Sequence, residues 1–219
     1  MKLAIITRTS NRPKLFRRCV ESVKQQSIDV EHHVVVDNQQ SYQYVADHDV
    51  HMIHQVDLNT LCGQQIHSDP PTTTRPPGKT AVHNLYFNQV YEHIESDWVY
   101  HLDDDNYLKP GTLHRLTPLL KDDVDMVVIR ADSFAGTLPT FRDCVMHKIR
   151  LCAIDTGCFV ARTKMFKHVK WDGWKCGDYR VIVKCDELSR NTTWANLVLM
   201  RMETNGDGLQ QDRDVDLLI

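Results

Sequence analysis

Residues 98–111 read WVYHLDDDNYLKPG. The apolar run Trp98 to Leu102 delivers three carboxylates, Asp103, Asp104 and Asp105, and a Pro-Gly turn closes the segment. Like charges side by side repel and resist leaving water. The stretch therefore predicts a buried strand whose carboxyl end meets a cation. Open α/β sheets seat their ligands at that end. Hard oxygen donors there suit Mn2+ or Mg2+ shared with a phosphate, with a solvated acidic turn as the bland alternative. A calcium loop of the EF-hand type fails by register, because the twelfth position from Asp103 is His114 rather than Glu.

Outward from that strand, short apolar runs alternate with amphipathic stretches, which predicts an α/β fold with a largely parallel sheet. Leu3 to Thr7 reads as the first strand. Pro13 opens a helix that carries Leu15, Phe16, Cys19, Val20 and Val23 at helical spacing and ends near Gln26. His33 to Val36 reads as a strand stopping at Asp37, and His51 to Ile53 as a third. Ser68 to Thr80, with four prolines and a glycine, reads as a loop. A helix is expected over about 81–94, another over 113–120, strands over 126–129 and 158–161, a helix over 177–188 and a strand over 197–202. One domain over 1–206 and a loose acidic tail over 207–219 complete the expected organisation.

Composition narrows the class. A net charge of −3 over 219 residues leaves no basic footprint for nucleic acid. No run approaches the roughly 20 apolar residues of a membrane span, and the N-terminal run lacks a signal-peptide cleavage site. Seven cysteines without a CxxC pair fit reduced core thiols in a cytoplasmic setting better than disulfides or zinc. Gly78-Lys79-Thr80 ends like a P-loop, but Thr73 stands where the first glycine belongs. Lys79 remains a candidate diphosphate partner, or an ordinary surface lysine. Asp37 could accept the imide N–H of uracil, or simply end its strand in a turn with Asn38. Asp178, in WDGWKCGDYR at an expected helix start, has aromatic neighbours that could hold a sugar and raise a carboxyl toward base strength. Its alternative is a helix cap. The twelve histidines form no HExxH or HxxxH pattern.

Taken in order, these segments resemble glycosyltransferases of the GT-A fold, in particular the family-2-like group. ITRTSNRPKLFRRCVESVKQQS is similar to that group's first strand, Asn-Arg-Pro loop and first helix. VVVDN resembles the strand ending in the uracil-binding aspartate, and GKTAVHNLYFNQV occupies the place of the helix before the DxD strand. WVYHLDDDN resembles the DxD motif, with Asp103 and Asp105 as outer members. DTGCFVARTKMF resembles the acceptor-side strand, and Gly177-Asp178 the base motif. More narrowly, the chain resembles the N-terminal domain of chlorella-virus glycosyltransferases that decorate capsid glycans.

The resemblance implies a three-layer GT-A fold with a mostly parallel sheet, and a metal-dependent transferase moving a sugar from UDP to a glycan, glycoprotein or other hydroxyl acceptor. It implies Mn2+ (or Mg2+) on Asp105 and Asp103, with Thr7, Arg8, Asp37, Lys79, Asn84, Asp103 and Asp104 around the donor nucleotide. Asp178 would be the general base of an inverting transfer, and Asp155 and Trp174 would face the acceptor. The location would be cytoplasmic, the host cytoplasm for a viral protein, and further domains of a longer polypeptide could take part. Two departures stand out: Ala-Arg-Asn before the DxD helix is replaced by approximate counterparts, and no histidine follows His168 as an extra metal ligand. A retaining transferase, a sugar-phosphate nucleotidyltransferase and a non-catalytic nucleotide-sugar-binding module are the alternatives.

Overall fold

The computed structural model describes residues 1–57, 82–173 and 176–203. Leu3–Thr9 (β1) is followed by Pro13–Lys24 (α1), Glu31–Val36 (β2), Gln39–Ala46 (α2) and Met52–Gln55 (β3). Trp98–His101 (β4), Asn106–Leu108 (β5), Thr112–Leu116 (α3), Met126–Ser133 (β6) and Gly136–Leu138 (β7) come next. Phe141–Val145 (α4), Phe159–Arg162 (β8), Gly177–Leu188 (α5) and Thr192–Met202 (β9) complete the series.

These strands form one sheet in the order β3-β2-β1-β4-β8-β6-β9-β5, with β7 hydrogen-bonded to β6. The half built from β3, β2, β1 and β4 is parallel throughout. Beyond it β8 runs antiparallel to both β4 and β6, while β6 and β9 are parallel again. The chain winds from β1 through β2 to β3 on one side and returns to place β4 on the other side of β1. That reversal creates a crevice at the carboxyl ends of β1 and β4, where doubly wound sheets bind ligands.

The expected first helix forms as the periodicity predicts. It buries Leu15, Phe16, Cys19, Val20 and Val23, and Pro13 takes an early position where its missing N–H costs nothing. Phe16 and Val20 pack with Val34, Val36 and Val45 between α1, β2 and α2. The larger core lies around β4, β6 and β8, with Trp98, Tyr100, Phe159 and Phe166 fully buried.

Several expectations are corrected. The single helix expected over about 81–94 is two 3₁₀ segments, Val82–Gln89 and Tyr91–His93. Tertiary contacts outweigh propensity here. Asn88 brackets the backbone of Trp171, donating to its carbonyl at 2.8 Å and accepting from its N–H at 2.9 Å. The helix expected over 113–120 is α at Thr112–Leu116 and 3₁₀ at Thr117–Leu119, where Pro118 cannot continue the α ladder. Helix α2 went unread at the sequence level, although Asn38 caps it by accepting from the Ser41 N–H at 2.8 Å. Among the described residues no helix is long and apolar enough to cross a membrane. The six cysteines among them, Cys19, Cys144, Cys152, Cys158, Cys176 and Cys185, are all free.

Candidate active site

At the crevice, β1 supplies Arg8 and the turn after it supplies Arg12. Asn11 adopts a left-handed conformation (φ 55°), which suits asparagine and directs the chain into α1. From the other side β4 runs into Asp103, Asp104 and Asp105. The aspartates find their positive partners here within the chain itself. Arg8 Nε lies 2.8 Å from Asp103 Oδ1, and Arg8 Nη2 donates to Asp103 Oδ2 at 3.2 Å. Arg12 forms an ion pair with Asp104 through Nη2, and its Nη1 donates to Asp105 Oδ2 at 3.2 Å. Arg18 donates to the Asp105 carbonyl at 3.4 Å and lies 3.4 Å from Glu203.

The three carboxylates are unequal. Asp104 has no exposed surface, and Asp105 is 6% exposed. Burial pushes the Asp104 carboxyl up, and the adjacent Arg12 opposes that rise. Arg12 is itself held protonated by Asp104, Asp105 and Asp103 against the cost of its burial. The middle aspartate is thus enclosed by the fold, while Asp103 keeps partial access to the crevice.

Arg8 is fixed from three sides. Besides Asp103 it donates to Asn84 Oδ1 at 2.5 Å, and its guanidinium lies 4.8 Å from the centre of the Phe87 ring. Asn84 in turn packs against Gly177, where an added Cβ would come within 2.6 Å of the Asn84 amide nitrogen. Glycine at 177 therefore lets the first turn of α5 approach the Arg8 cluster.

That close approach delivers Asp178. It is half-buried in the first turn of α5, accepts from the Tyr179 N–H at 2.7 Å, and gains from the helix dipole as an anion. Burial nevertheless raises its carboxyl to about 6, with Asp103 adding to the rise and Arg8 opposing it. Asp155 caps the 3₁₀ turn Thr156–Cys158, accepting from the Gly157 N–H at 3.2 Å. Burial, with Asp103, Asp178 and Asp105 nearby, drives its carboxyl well above the usual range. Asp103, Asp105, Asp155 and Asp178 thus share one electrostatic neighbourhood, although they are spread over 76 positions of sequence.

The other expected residues are placed as follows. Asp37 ends β2 and accepts from the Tyr86 hydroxyl at 2.7 Å and the Asn38 amide at 2.5 Å, so its carboxylate is aimed by two donors. Thr7 is fully buried. Its hydroxyl is turned into the core, 2.9 Å from His32 Nε2, so this side chain does not join the cluster. Lys79 and Trp174 lie outside the described residues. Sequence reasoning missed Arg12 as the partner of Asp104, Tyr86 as the partner of Asp37, and the aromatic floor. In that floor the Tyr91 hydroxyl meets both His101 Nε2 at 2.8 Å and Trp171 Nε1 at 2.6 Å. His101, buried beneath the crevice, is kept neutral by desolvation and titrates only at about 3.

A divalent cation can be tested against this arrangement. No three carboxylate oxygens of the run converge as a closed cage; among the described residues the one converging group of three lies elsewhere. Asp103 and Asp105 do offer hard oxygens, and burial together with neighbouring carboxylates raises Asp155 and Asp178. Mg2+ and Mn2+ commonly bind through one or two carboxylates and complete their shell with phosphate and water. The residues fit that kind of site.

No family model and no curated protein matches this sequence. Solved structures do match in shape. Residues 1–349 of S. aureus TarS superpose with a TM-score of 0.65 at 15% identity, covering 92% of this chain and 60% of that one. The same protein in complex with UDP-GlcNAc gives 0.65 at 15% identity over 92% and 58%. The mannosyltransferase PcManGT from Pyrobaculum calidifontis, in complex with GDP-Man and Mn2+, gives 0.59 at 14% identity over 90% and 56%. The chain thus spans about 60% of the length of the first of these. At such identities the likeness is one of fold, and the fold of this chain is the GT-A fold of glycosyltransferases.

Proposed function

We propose that this chain is the donor-binding and catalytic domain of a glycosyltransferase that moves a hexosyl group from a UDP-sugar to a hydroxyl of a glycan or glycoprotein. The observation that carries the reading is the gathering of Asp103, Asp105, Asp155 and Asp178 at the switch point of the sheet, with Arg8 bound to Asp103. The solved neighbours with UDP-GlcNAc and with GDP-Man and Mn2+ support it.

In this reading Asp37, oriented by Tyr86, accepts from the base, and Arg8 turns its guanidinium to the diphosphate. Asp103 and Asp105 would hold Mn2+ or Mg2+, which would supply charge neutralisation for a departing diphosphate. Asp104 serves the site indirectly, by anchoring Arg12. Lys79 takes a diphosphate oxygen, and Asp155 and Trp174 face the acceptor. Asp178 takes the proton from the acceptor hydroxyl as its oxygen bonds to the anomeric carbon, and the bond from that carbon to the diphosphate oxygen breaks on the opposite face. The configuration is inverted.

The deciding experiment is thermal unfolding of the chain with UDP and with GDP, each with and without Mn2+. At about 100 times its dissociation constant a ligand adds about 2.7 kcal/mol. A UDP shift that needs Mn2+ and disappears in Asp105→Ala is the expected result. No shift with either nucleotide, or an equal shift in Asp105→Ala, overturns the reading.

A further inference from the structure

At the other end of β2 the sheet edge carries a second cluster of metal-binding groups. Glu31, His33 and His51 each place one ligand atom within 4.8 Å of the others. Glu31 and His33 are two apart on one strand and so project from the same face. His51 immediately precedes β3, and its N–H bonds to the His32 carbonyl at 2.9 Å, which docks it beside β2. The His33 and His51 rings lie 5.0 Å apart between centroids.

His33 is the informative member. Its ring is fully buried, and Nδ1 lies 3.0 Å from His54 Nε2. With Nδ1 as the donor in that bond, the lone pair rests on Nε2. This atom is buried and, like Glu31 Oε2, has no hydrogen-bond partner among the described residues. The two are 3.8 Å apart, too far to satisfy each other. Such a buried, unsatisfied pair costs stability unless something sits between them.

We propose that Glu31, His33 and His51 form a zinc site at the β2–β3 edge, with His54 orienting His33 from behind. Two imidazoles and a carboxylate with an open fourth position are a Zn2+ donor set and a poor one for Mg2+. The outer imidazole fixes the tautomer of the ligating one, a recurring arrangement at zinc. Tetrahedral ligands about 2.1 Å from the ion lie about 3.4 Å from one another. Exposed His51 and half-buried Glu31 are the members that would close the remaining distance. The ion would tie the start of β2 to the edge strand β3. Six residues of extended chain, about 20 Å, separate Glu31 from Asp37, so this site is distinct from the donor crevice and independent of the function proposed for it.

Zinc titration of the full chain after chelator treatment, followed by calorimetry, tests the assignment, with Co2+ absorption as a second probe. One Zn2+ per chain is expected, together with a Co2+ spectrum lacking thiolate charge transfer. His51→Ala and Glu31→Gln each weaken zinc affinity by at least about tenfold. Because His51 is exposed, its variant keeps the fold, which circular dichroism verifies. No saturable binding, equal affinity in the His51→Ala/Glu31→Gln double variant, or a thiolate band from the free cysteines would each overturn the proposal.

Discussion

Replacing Arg12 by methionine isolates what the guanidinium does. The stem volume is kept, but Asp104, with no exposed surface, loses its ion pair, and Asp105 loses a donor at 3.2 Å. Removing one partner of a buried pair leaves an uncompensated charge and costs about 3–5 kcal/mol. A domain holds only about 5–15 kcal/mol in total. At about 2–4 °C per kcal/mol for a chain of this size, Arg12→Met should melt roughly 6–20 °C lower. Urea unfolding of the two single variants and of Arg12→Met/Asp104→Asn closes a double-mutant cycle. The double variant should recover much of the loss, since the stranded carboxylate is gone. A cost for Arg12→Met below about 1 kcal/mol, as exposed pairs give, would refute the argument. Strict additivity of the two singles would refute it equally.

Three further outcomes concern the crevice. Asp178→Asn should lower kcat about 10²–10⁴-fold while UDP binding survives, and a variant with unaltered turnover would exclude Asp178 as the base. Because the Asp178 carboxyl is raised to about 6, only its ionised form above that pH can take a proton. Wild-type kcat should therefore fall tenfold per pH unit below about 6, whereas the residual rate of Asp178→Asn stays flat across the same range. Gly177→Ala places a methyl 2.6 Å from the Asn84 amide. Asn84 is buried and bonded to Arg8, and the Asp172 carbonyl lies 3.1 Å from the same methyl, so stability should drop by about 1–3 kcal/mol. Turnover should fall more than tenfold as Asn84 releases Arg8, and a fully active Gly177→Ala would show that the link between α5 and Arg8 is idle.

The parallel half of the fold was legible because its signals are local. Pro13 with the apolar spacing after it, the run ending at Asp37 and the run ending at Asp103 each announce an element and its limit. What sequence could not show is set by distance along the chain. Arg12 meets Asp104 across 92 positions, and nothing near either residue marks the other. Asp155 enters the same electrostatic field through a turn whose place depends on β8 running antiparallel to β4. The 3₁₀ segments before β4 depend on Asn88 finding Trp171, a contact invisible to periodicity. Thr7 shows the converse: strand alternation sends its hydroxyl to His32 although its neighbour Arg8 faces the crevice.

Arg8 rests on the Phe87 ring, holds Asp103 and is steadied by Asn84 before any substrate arrives. A long guanidinium side chain left free would surrender about 2 kcal/mol of rotamer entropy each time it was recruited. Here that freedom is given up once, during folding. For the diphosphate proposed above, Arg8 would be a cation already standing still, and binding would not include the cost of ordering this side chain.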